Sequence, residues 1–194
     1  MNEHLNRNGY DVKTLILGMG NEFLGDAGAG IHAVRAMLRE GCPKNTEAFE
    51  FGASTMEALI ALQRADRVII VDALRAHGKP GTIYRVPLVE SHTRDCIASP
   101  QSLELFRVLN LSGCLVFLEV ILFGIEPAVI DSSKKLSKDI ADALPLLLEI
   151  VRAEIEGSSA QQYENQGFGG IGPCLDHEVY SQKTNEYSGA NYAR

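Results

Sequence analysis

A chain of 194 residues with 45% hydrophobic and 22% charged residues has the length and composition of one globular domain, with or without a tail. That excludes a wholly disordered chain, a collagen-like fibre and a membrane protein. Lys and Arg number 18 against 25 Asp and Glu, a formal net charge of −7 with no basic cluster, which argues against nucleic acid or an anionic membrane as partner.

Residues 1–11 are polar and carry no signal-peptide pattern, so a cytoplasmic location is expected. Cys42, Cys96, Cys114 and Cys174 lie far apart and form no C-x-x-C, which excludes a zinc ribbon or a thioredoxin-like redox pair and suits free thiols. The apolar run Leu115–Ile125 is broken by Glu119 and is too short to span a bilayer.

Val12–Leu17 is a short β-branched and leucine run without alternation, the pattern of a buried parallel strand, and Gly18-Met19-Gly20-Asn21 turns the chain. Asp26 stands where an N-cap belongs, which predicts a helix over Ala27–Arg39 ended by Gly41. Thr46–Phe51 reads as a strand. Ser54 and Glu57 have capping-box spacing before a helix to about Arg64. Arg67–Val71 is a third strand closed by Asp72; Gly78–Gly81 turns into a fourth at Thr82–Val86.

Ser99-Pro100 starts a helix to about Asn110, and Cys114–Ile125 is a strand. Leu136, Ile140, Leu144, Leu147 and Val151 mark one face of a last helix. The alternation predicts an α/β fold with a mostly parallel sheet. From Gly157 to Arg194 the chain is rich in Gly, Ser, Gln, Asn and Tyr and reads as a flexible tail, leaving residues 12–156 as the domain.

Sites in open α/β sheets form at the C-terminal ends of the strands. The loops expected there carry Gly18, Gly20, Asn21, Asp26, Gly52, Ser54, Ser99 and Pro100, with Asp72 beside them. A dinucleotide fingerprint fails: after Gly18 and Gly20 the next required glycine falls on Phe23. Taken from this loop alone, the glycines serve a tight turn and close helix packing. Glu22, Glu50, Glu119 and Glu126 are further candidate acids; Glu126-Pro127 is expected to shape a loop, and Glu119 needs a partner if buried.

Taken together, GMGNEFLGDAGAG at Gly18–Gly30, IIVDALRAHGKPGTIYRV at Ile69–Val86, SPQSLEL at Ser99–Leu105 and LFGIEP at Leu122–Pro127 resemble the hydrogenase maturation endopeptidases. The resemblance implies a three-layer α/β sandwich around a twisted, mostly parallel sheet, of phosphorylase/hydrolase-like type. It implies binding of a [NiFe] hydrogenase large-subunit precursor, and removal of its C-terminal peptide once nickel is loaded. The family's three metal-contacting side chains, carried over by position, fall on Ala27, Asp72 and Gln101.

Only Asp72 keeps a ligand. A divalent transition metal needs carboxylate or imidazole donors at about 2.0–2.2 Å. Ala27 offers none and Gln101 a neutral amide, so nickel binding is expected to be weak or absent and the site catalytically degenerate. A rebuilt set of Asp26, Asp72 and His77 is the alternative under which the chain would be an active endopeptidase. The tail carries Gly172-Pro173-Cys174-Leu175-Asp176-His177, a partial likeness to the cysteine-bearing C-terminal motif of hydrogenase large subunits.

Overall fold

The structure is a computed structural model, and it describes residues 13–51, 60–87, 105 and 118–157. In chain order these form β1 (Thr14–Gly18), a 3-10 turn (Gly25–Gly28), α1 (Ala29–Glu40), β2 (Thr46–Glu50), β3 (Arg67–Ala73), β4 (Ile83–Pro87), β5 (Glu119–Ile125) and α2 (Lys138–Ile155). The sheet order is β2-β1-β3-β5-β4. β1, β2, β3 and β5 run parallel, and β4 is antiparallel to β5 at one edge. The mostly parallel α/β fold expected from the sequence is therefore present.

The apolar runs fail to alternate because the central strands are covered on both faces. Ile16, Ile69, Val71, Ile121 and Phe123 point into a cluster with Ala33, Val34 and Met37 of α1 and Ile140, Leu147, Ile150 and Val151 of α2. Leu15, Leu17, Val68, Ile70, Val120 and Leu122 point the other way, onto Leu62 and Leu105. Leu62 and Leu105 come from the two segments in which the Ser54 and Ser99 signals predict helices. Residues 60–62 and 105 are helical, but the signals at Gly52, Ser54, Ser99, Pro100 and Gln101 lie outside the described residues.

Gly41 ends α1 with φ 94°, as its position predicts. α2 begins at Ser137, whose Oγ accepts from the Ile140 N–H at 3.5 Å. It runs through Pro145, which sits on the exposed side. Glu119 opens β5 beside Arg67, and their side chains pair at 2.6 Å, so its position in an apolar strand is met by a cation rather than by burial. No helix among the described residues is long and apolar enough to cross a membrane.

Candidate functional site

The C-terminal ends of β1 and β3 meet where the first loop folds back onto the sheet. The Met19 N–H donates to the Val71 carbonyl at 2.8 Å, and the Asn21 N–H donates to the Ala27 carbonyl at 3.0 Å. Gly20 makes this possible. It has φ 111°, and a Cβ there would overlap the Ala27 carbonyl and stand 3.4 Å from the Asp72 Oδ1. Gly20, Ala27 and Asp72 thus share one small region at the rim. Asp72 is fully buried in β3, its Oδ1 accepting the Ala73 N–H at 2.8 Å. Close turn and packing account for the glycines, as the loop read alone suggests.

Asp26 does not cap α1. The chain enters a 3-10 turn at Gly25, and neither that turn nor α1 has a side-chain cap. The carboxylate points into the segment between β5 and α2. Its Oδ2 accepts the N–H groups of Ala128 at 2.9 Å and Val129 at 2.8 Å, and its Oδ1 accepts that of Ser137 at 2.7 Å. Ser137 is the N-cap of α2, so the anion serves the positive end of the second helix instead of the first. With zero exposure and three donors, Asp26 is a structural strut.

The rebuilt set of Asp26, Asp72 and His77 is not assembled. Asp26 is engaged by backbone, and His77 lies exposed in the turn after β3 with φ 61°. Among the described residues no group of three or more His, Cys, Asp or Glu side chains could hold a metal ion.

Two arrangements frame the Asp72 rim. On one side Glu126, almost fully buried, uses Oε2 to accept from the Ala76 N–H at 2.7 Å, the Gly78 N–H at 3.2 Å and the Tyr84 hydroxyl at 3.0 Å. This fixes the turn that carries His77, the loop-shaping role expected of Glu126-Pro127. Burial, reinforced by the Glu126 carboxylate, pushes the Tyr84 phenol up to about 12. On the other side Arg35 of α1 grips Glu50 at the end of β2 with Nε at 2.9 Å and Nη2 at 2.8 Å, and Glu22 with Nη1 at 2.7 Å. The Arg35 hydrogen bond holds the Glu22 carboxyl below its usual range.

Glu22 and Glu50 stand out in the sequence as candidate acids, but Arg35 does not. Its signal is a cation on a helix whose other positions are mostly small or apolar. His32, one turn earlier on α1, is half-buried as a helix residue would be, and its Nε2 has no hydrogen-bond partner.

Residues 31–154 match the HycI hydrogenase maturation protease family. The chain belongs to that family. It is 30% identical over 152 residues to a curated protein of Methanocaldococcus jannaschii, MJ0253, provisionally named a hydrogenase maturation protease, covering 73% of this chain and 96% of that one. The hydrogenase maturating endopeptidase HybD from E. coli superposes with a TM-score of 0.64 at 27% identity, over 75% of this chain and 93% of HybD. The [NiFe] hydrogenase maturation protease HybD from Thermococcus kodakarensis gives 0.62 at 25% identity, over 74% and 99% of the two chains. The family resemblance seen in the motifs is thus correct, and the family acts on hydrogenase large-subunit precursors in general.

Proposed function

We propose that this protein binds a [NiFe] hydrogenase large-subunit precursor but lacks the family's nickel-dependent cleavage. The observation that carries the reading is the engagement of Asp26. Ala27 stands where a ligating carboxylate is expected, and the acid next to it is held by three backbone N–H groups of the 128–137 segment. Turning Asp26 toward Asp72 would strand those donors, at about 1–3 kcal/mol each. Gln101 replaces the expected imidazole. Asp72, one carboxylate at the end of β3, is then the only donor of a fitting kind among the three family positions.

The residues present do not fit a nickel ion held by three charged or imidazole donors, so no cleavage step is derived through one. The fold and the rim remain, and with them the surfaces on which a precursor would be received. The test is to mix the purified protein with a nickel-loaded precursor from the same organism. Complex formation would be followed by gel filtration and the precursor's C-terminus by mass spectrometry. A stable complex with an intact precursor is expected. Release of the C-terminal peptide, abolished by Asp72→Ala, would overturn the reading.

A further inference from the structure

Among the described residues six large apolar side chains are exposed, and four of them lie on two loops at the same rim: Phe23 at 55%, Leu24 at 38%, Val129 at 47% and Ile130 at 42%. The two loops are one unit. The Gly25 N–H donates to the Ser133 carbonyl at 2.6 Å and the Asp26 N–H to the Val129 carbonyl at 3.1 Å, while the Asp26 carboxylate holds the Ala128 and Val129 N–H groups from beneath. A buried, fully engaged strut therefore supports an apolar surface, and chance exposure of single side chains does not require such support.

The patch continues directly from the candidate site. Phe23 follows Asn21 by two residues, its N–H donating to the Asn21 Oδ1 at 2.9 Å, and Asn21 is itself bonded to the Ala27 carbonyl beside Asp72. Its exposed charges are not dominated by acids as those of the whole chain are, since Glu22 beside Phe23 is paired with Arg35. Next to Val129 and Ile130 come two exposed lysines, Lys134 and Lys135, against one exposed aspartate, Asp131, in a protein of net charge −7. The Lys134 ammonium lies 4.3 Å from the centre of the Phe23 ring, which places the cation on the apolar surface itself.

We infer that Phe23, Leu24, Val129 and Ile130, with Lys134 at their edge, form a docking platform for a segment of the large-subunit precursor that pairs apolar anchors with a carboxylate. This rests on the proposed precursor binding and assigns it a surface. The apolar side chains supply the anchoring area and the lysines select the sign of the flanking charge. The patch continues from the rim at which the precursor is proposed to be received, and this continuity makes the precursor, rather than a second copy of this chain, its occupant.

The test uses the full-length protein and the purified precursor with its C-terminal extension, and affinity is read by calorimetry. Phe23→Ser with Ile130→Ser should weaken binding roughly tenfold or more, and Lys134→Glu by about threefold to tenfold with a reduced salt dependence. Leu38→Ser, an equally exposed leucine on α1 away from the patch, should leave affinity unchanged. Circular dichroism should show all variants folded, since none of these side chains is in the core.

Unchanged affinity in the patch variants overturns the inference while leaving precursor binding in place. Tighter binding in those variants also overturns it, because another part of this chain would then be the occupant. So does a dimer of the unaltered protein that the patch variants dissociate without change in precursor affinity. No binding by the unaltered protein overturns the proposed function, and this inference with it.

Discussion

The loop that carries Asp26 and the strand end that carries Asp72 present two fully buried carboxylates on one rim of the sheet, yet they do different work. Both oxygens of Asp26 are directed away from the site and hold three N–H groups from a segment over 100 residues later in the chain. Asp72 stays at the end of β3, with its Oδ1 beside Gly20 and on the N–H of the next residue. If Ala27 stands at a lost ligand position, as proposed above, the acid beside it is no substitute, because the fold already depends on that acid.

The comparison is sharpest if each carboxylate is neutralised without loss of volume. Asp26→Asn should lower stability by about 2–4 kcal/mol in urea unfolding, because the amide cannot accept three N–H groups with its one oxygen. Asp72→Asn should lower it by less, because an amide oxygen can still accept the Ala73 N–H. Equal losses at the two positions would erase the distinction.

A second test concerns the turn held by Glu126. Burial pushes the Tyr84 phenol from its ordinary value of about 10 up to about 12 in the folded protein. The folded state then retains a proton that the unfolded state gives up. The contribution is complete below pH 10 and is lost as pH rises through 12, so stability should fall over that window by roughly 1–2 kcal/mol. Tyr84→Phe should flatten that part of the profile while the Ala76 and Gly78 bonds to Glu126 persist. A profile unchanged by the substitution would show that other groups dominate.

The smallest effect is expected at Arg35, which braces the first loop through half-exposed pairs. Arg35→Lys keeps the charge but loses the two-pronged grip on Glu50, and should cost about 0.5–1 kcal/mol by thermal unfolding. A loss as large as that of Asp26→Asn would move the main strut of the loop from Asp26 to Arg35.

These differences follow physical range more than residue type. β1, β3 and β5 are legible because burial on both faces leaves an uninterrupted apolar run, and Gly41 because a helix stop is local. Asp72 is legible because a strand end is where α/β sites form. Asp26 reads as an N-cap because its neighbours in the chain allow it. Its actual partners, Ala128, Val129 and Ser137, become neighbours only once α2 packs beside α1. The same reason hides Arg35, which joins Glu22 and Glu50 across three elements. Glu119 reads as a strand acid in need of a partner, and register supplies Arg67 directly opposite.

The central claim is that the family positions in this chain retain one ligand, Asp72, with Ala27 and Gln101 in place of the others. A calorimetric nickel titration of the full-length protein tests it most directly, run beside the double variant Ala27→Glu, Gln101→His. The account predicts no tight one-to-one site in the unaltered protein and one in the double variant, lost again when Asp72→Ala is added. A tight one-to-one nickel site in the unaltered protein, abolished by Asp72→Ala, would contradict it.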